Sequence, residues 1–190
     1  MASSSVEPSL IPFPVARTVY GVLLSGSLLW CALIAAAPLL GHPGGSFGDA
    51  AAAVYAFFHP ICHQLDSHSL HLAGAKLGVC ARCSSIYFSF LLGLLLYPWI
   101  RGLQNTLVPH RLILAGAALP MLLDVGLSLP GFWASTQVSR LLTGSVFGLT
   151  AAFFIVPAAV EGTAQLLHGF QSTHSVRHHP QEGFSDATET

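Results

Sequence analysis

Read only for apolar and polar positions, the chain resolves into four long apolar stretches and one short one, separated by segments rich in Gly, Pro and His. The long stretches cover residues 18–40, 84–100, 112–129 and 141–160, against the roughly 20 residues a helix needs to cross a ~30 Å hydrocarbon layer. The first and fourth hold no charge, the third holds only Asp124, and Arg101 stops the second, which Val79 and its apolar neighbours extend towards the interface. The short stretch, 50–61, cannot cross, and Pro60 disfavours helical geometry at His59 before it. This pattern predicts an all-α integral membrane protein with four transmembrane helices plus one short interfacial or re-entrant helix. The membrane domain then covers 18–160, between an N-terminal flank, 1–17, and a flexible polar tail, 161–190, holding His168, His174, His178 and His179.

Composition strengthens this reading. Hydrophobic residues make up 53% of the chain and charged residues 8%, where a soluble domain carries about a quarter charged. Arg17 before an apolar run ending Ala35-Ala36-Ala37 has the look of a secretory signal. The run is longer than the roughly 7–15 residues of a signal core, so a retained first helix is expected. A net charge of -1 gives no electrostatic reason to expect nucleic acid, whose binding depends on neutralising phosphates; the lipid bilayer is the expected surrounding. Four spans put both termini on one face. That face holds Arg17, Arg101, Arg111 and Arg177, against Lys76, Arg82 and Arg140 on the other, which predicts cytoplasmic termini and an extracytoplasmic cysteine loop.

The candidate chemistry lies between the short stretch and the second span, where Cys62-His63-Gln64 is followed by Cys80-Ala81-Arg82-Cys83. A Cys-x-x-Cys pair suits tetrahedral zinc or a reversible disulfide. For zinc, Cys62, Cys80 and Cys83 supply three sulfurs, and His63, or else His59, His68 or His71, supplies an imidazole. Cys62 and His63 would diverge by about 100° on a helix, so joint ligation requires the backbone to turn there. For redox chemistry, Arg82 and the helix amino terminus after Cys83 both favour thiolate. A Cys-x-x-Cys at the head of a bundle helix also looks like the plan of quinone-coupled disulfide-generating enzymes and of vitamin K epoxide reductase, an analogy of architecture only. Those enzymes relay electrons through a second cysteine pair, whereas here Cys62 alone is nearby and mid-span Cys31 reads as a small hydrophobe.

Asp124 is costly inside a span, and Arg140 opens the last helix on the same side. An Asp124–Arg140 ion pair is therefore expected beside the cysteine loop, either as part of a site with Arg82 or as a fastener between helices. No histidine lies inside a span and Ser84 follows Cys83, so neither axial nor covalent haem ligation is expected. There is no Gly-x-Ser-x-Gly elbow and no phosphate-cradling glycine loop. Gly144 and Gly148 form a Gly-x-x-x-Gly, and with Gly21, Ser25 and Ser27 they are expected to pack helices, within the bundle or in an oligomer.

Cys62, His63, Gln64, Cys80, Arg82, Cys83, Tyr87, Asp124, Arg140, Thr143 and Gly144 together resemble the pattern of a family of small prokaryotic integral membrane proteins defined as a domain of unknown function. The resemblance covers roughly 55–150 and implies a prokaryotic inner (cytoplasmic) membrane, without implying an activity. Ser84, Ser85 and Ser89 stand where that pattern has Thr-Gly and a later Gly, and Ser67-His68 where it has Arg-Ser. Three functions remain open: a zinc site, structural or catalytic; a thiol–disulfide or quinone-linked oxidoreductase; and a non-catalytic subunit whose cysteine clasp shapes a loop for a membrane partner or a second copy. Whether the chain is an enzyme stays open with them.

Overall fold

The computed structural model describes residues 13–41, 47–132 and 134–177, with side chains up to 167. It is helical, with α1 (Phe13–Leu40), α2 (Gly48–Phe58), α3 (Ala81–Ile100), α4 (Arg111–Ser128) and α5 (Gln137–Arg177). Four of these, all but α2, are long and apolar enough to cross a membrane, with mean hydropathies of 2.0, 1.6, 1.5 and 1.9. Between α2 and α3 lie a 3-10 turn, Asp66–His68, and a two-residue hairpin of β1 (His71–Leu72) and β2 (Ala75–Lys76). The strands are antiparallel, with His71 opposite Lys76 and Leu72 opposite Ala75. Their turn places Ala73 and Gly74 at φ 52° and 84°, the twist that matches a tight hairpin.

The bundle is built on α1, α3 and α5. Leu94 and Tyr97 of α3 are buried against Ala152 and Val156 of α5, and Ala16 of α1 packs on Val160 and Ala164. Glycine makes the α3–α5 contact possible: a Cβ at Gly93 would stand 2.7 Å from that of Ala152, and one at Gly148 would collide with the Ile86 carbonyl. A Cβ at Gly144 would come within 2.8 Å of the Arg82 carbonyl. Close approach at Ser85 and Ser89 is thus secured from the α5 side. Gly21 has open space around it and Ser25 is exposed, so within the chain neither serves the packing expected of them. Helix α4 sits at the edge, with 11% of its apolar stretch buried against 39% for α5.

Two prolines turn backbone into tertiary contact. Pro38 has no N–H for the carbonyl four residues earlier, and that carbonyl, Ile34 O, accepts from Gly78 N at 3.1 Å instead. Pro98 likewise frees Leu94 O, which accepts from the Tyr20 hydroxyl at 2.8 Å. The first bond pins the cysteine loop to α1 and the second ties α1 to α3.

The helix boundaries differ from expectation mainly at the chain ends. α1 begins at Phe13, inside the expected flank, and residues 161–177 continue α5 where a flexible tail was expected. Ala16 on Val160 and Ala164 accounts for the added turns that meet, at the start of α1 and over 161–164. His168 and His174 fall within α5, whereas His178, His179 and residues 1–12 lie outside the described residues.

Candidate metal centre

Each sulfur of the cysteine group is set by a different feature of the chain. Helix α2 ends at Phe58, ahead of Pro60, and Cys62 N still reaches back to the Phe58 carbonyl at 3.0 Å. Gly78, held on α1, brings in Val79 and Cys80, and Cys80 caps the amino end of α3. Cys83 follows in the first helical turn. The three Sγ atoms lie within 4.8 Å of one another. All are free thiols. Sulfurs bound to one tetrahedral zinc at about 2.3 Å stand roughly 3.8 Å apart, so the group suits zinc without rearrangement of its elements.

The surroundings favour negative charge on Cys62. The Cys80 thiol, then the Cys83 thiol, then the backbone amides of Cys80 and Gln64 donate towards its sulfur and lower its pKa against the opposing effect of burial. The Cys80 amide stands 3.2 Å from the Cys62 sulfur. Phe58, Val79 and Ile34, all fully buried, pack beside the group with Leu77. The site is therefore dry on the side facing the bundle, where electrostatic attraction to a cation is strongest.

Gln64 holds the loop. Its Nε2 donates to the carbonyls of Tyr55 at 2.8 Å and Gly78 at 2.9 Å, joining α2 to the segment that carries Cys80. Its own carbonyl accepts from Lys76 Nζ at 2.9 Å. The Tyr55 hydroxyl donates to the Lys76 carbonyl. Gln64 takes φ 51°, a conformation that costs a non-glycine residue about 1–2 kcal/mol and persists where surrounding bonds enforce it.

The histidines stand elsewhere. His63 is exposed, and no imidazole among the described residues joins the three sulfurs. The backbone does turn after Cys62, but Gln64 uses that turn to enter the interior while His63 faces outward. His59 caps α2 and is exposed, and His71 pairs with Asp66 at 3.2 Å. His68 has a lowered pKa because of desolvation and then the positive charges of Arg140 and Arg82.

A second polar group forms one residue along from the thiols. Positions 82 and 83 diverge by about 100° on a helix, so Arg82 leaves the sulfur side and reaches α4 and α5. Arg82, not Arg140, is the ion-pair partner of Asp124. Asp124 also accepts from the hydroxyls of Ser135 at 2.7 Å and Ser139 at 3.0 Å. Arg140 Nε donates to Ser135 Oγ at 3.0 Å. The expected Asp124–Arg140 pair is thus corrected: Arg140 opens α5 in the adjacent turn, and Ser135 stands between it and the carboxylate. Asp124 is 8% exposed, and three donors offset the cost of burying its charge.

Ser135, Ser139, Pro38 and Gly78 matter to these sites and were not singled out from sequence. For the last two a signal existed: a proline inside a span frees one carbonyl, and a glycine before Val-Cys permits close approach to it. For the serines none did, because hydroxyls are common in membrane loops.

The family model described as Predicted membrane protein (DUF2085) matches residues 62–154, beginning at Cys62 and running into α5. An uncharacterized protein of Methanocaldococcus jannaschii is 33% identical over 148 residues, covering 76% of this chain and 95% of that protein. No solved structure matches the chain.

Proposed function

This chain belongs to the family described as Predicted membrane protein (DUF2085), and from that premise we propose that Cys62, Cys80 and Cys83 hold one zinc ion at the membrane surface. The observation that carries the proposal is the meeting of three free sulfurs within 4.8 Å, on elements fixed independently by the Ile34–Gly78 bond and the Gln64 clasp. Soft thiolates select zinc over hard cations such as magnesium or calcium. Three protein ligands leave a fourth position for water or a substrate atom, the arrangement of catalytic zinc sites. In this reading His63, exposed and outside the sulfur group, is not a ligand.

In this reading Arg82, Asp124, Ser135, Ser139 and Arg140 fasten α3, α4 and α5 beneath the metal loop, and their role is structural. The termini are taken as cytoplasmic on the strength of the arginine distribution, and the membrane as a prokaryotic inner one because the family resemblance implies it. The cysteine loop then faces an oxidising compartment, where bound zinc would protect the thiols from disulfide formation.

Metal analysis of the detergent-purified full chain, paired with thiol titration before and after chelation, tests the proposal. One zinc per chain, with three thiols that become reactive only on chelation, is expected. A metal-free protein with a reversible Cys80–Cys83 disulfide would overturn it in favour of thiol–disulfide exchange.

A further inference from the structure

The polar group shared by α3, α4 and α5 holds more donors than acceptors. Asp124 is its carboxylate, and both oxygens are taken, one by Arg82 Nη2 and Ser135 and the other by Ser139. The Ser135 oxygen accepts from both guanidiniums, from Arg82 Nη2 at 3.2 Å and from Arg140 Nε at 3.0 Å, so the two cations stand side by side. Arg82 Nε is buried without an acceptor, and neither Nη of Arg140 meets one among the described residues. Arg140 forms no ion pair among those residues, which leaves two guanidiniums against one carboxylate.

The helix ends add to this imbalance. Arg82 lies in the first turn of α3 and Arg140 in the first turn of α5, and a helix amino end carries partial positive charge from its aligned peptide dipoles. Gln137 Nε2 donates to the Ser69 carbonyl at 3.4 Å, which holds the loop carrying His68 against the start of α5. Desolvation, then the charges of Arg140 and Arg82, favour the neutral imidazole of His68, which keeps one N–H to donate. His68 and Arg140 are both partly exposed, so the surplus of donors opens towards water.

We propose that Arg140, with His68 beside it, binds a phosphate-bearing anion at the membrane surface, through the guanidinium edge that fastening leaves free. The two Nη groups and the imidazole supply three donors, which the oxygens of a phosphate can accept together, and a guanidinium matches such oxygens in pairs. Phosphate reaches this level either as a soluble anion or on a lipid headgroup. The site is independent of the zinc reading, because neither the charge imbalance nor the unused donors depend on a metal.

Calorimetry tests this on full-length protein in a non-ionic detergent at low salt, with inorganic phosphate and dihexanoylphosphatidylglycerol titrated separately. Saturable binding of at least one is expected, phosphate alone marking a soluble anion and phosphatidylglycerol alone a lipid headgroup. Arg140→Gln should weaken binding by about 10–100-fold, the loss of charge-assisted hydrogen bonds. His68→Glu, which sets a carboxylate beside Arg140, should abolish binding and serves as the second variant should R140Q misfold. Arg101→Gln removes the same charge from the opposite end of α3 and should leave binding unchanged. Zinc content of the same samples should not change, which separates failure of this site from failure of the metal centre. No saturable binding of either probe, parent affinity in R140Q or H68E, or an equal loss in R101Q would each overturn the proposal.

Discussion

The two polar groups at the head of α3 start one residue apart and behave differently. Around Asp124, every charge-bearing atom that accepts is met from inside the protein: Arg82, Ser135 and Ser139 supply its donors, and Arg140 is held by Ser135. Around Cys62, the opposite holds. Three sulfurs converge, yet among the described residues Cys62 is met only by weak thiol and amide donors and by no cationic side chain, although Arg82 starts beside them in sequence. A membrane protein that places a guanidinium between two thiols and then turns it towards a carboxylate has separated a fastener from a receiving site. Polar residues close in sequence therefore need not share a site, because the helix turn distributes them to different neighbours.

Removing a sulfur should separate the two groups most sharply. Cys83→Ser or Cys80→Ser should lower zinc affinity by about a thousandfold or more, measured by competition with a chelating dye, while the helix content by circular dichroism stays. Asp124→Asn should do the reverse. It leaves the half-buried Arg82 guanidinium without its counter-charge and should destabilise the fold by about 1–3 kcal/mol in a denaturant titration, with one zinc per chain retained. A variant that lost zinc and kept its stability would make the two groups one site and break the comparison. Gln64→Ala removes the brace beneath the sulfurs and should weaken zinc by about 10–100-fold, the usual cost of losing a supporting shell. His63→Ala should change zinc affinity by no more than about twofold, since its side chain is exposed and outside the sulfur group. A hundredfold loss there would instead make His63 the fourth ligand.

Much of this was legible in the chain because hydrocarbon imposes strict rules. The four spans followed from apolar length and the short α2 from its length and Pro60, whereas Gly144 and Gly148 marked a packing face without deciding between α3 and a second copy. The convergence of Cys62 with Cys80 and Cys83 was visible as a motif, but its cause was not. It depends on the Ile34 carbonyl freed by Pro38 meeting Gly78, a contact across more than forty residues. The pairing of Asp124 was misassigned for a related reason. Arg140 and Arg82 are equally placed by side of the membrane, and only the azimuth of α3 relative to α4 and α5 decides between them. The outward turn of His63 was hidden as well, because it depends on Gln64 adopting a positive φ.

The central claim is a zinc ion held by three protein sulfurs, and X-ray absorption at the zinc edge of the purified chain tests it most directly. Three sulfur scatterers at about 2.3 Å with one oxygen or nitrogen at about 2.0–2.1 Å are expected. A shell of oxygen and nitrogen alone, with the thiols free to titrate, would contradict it.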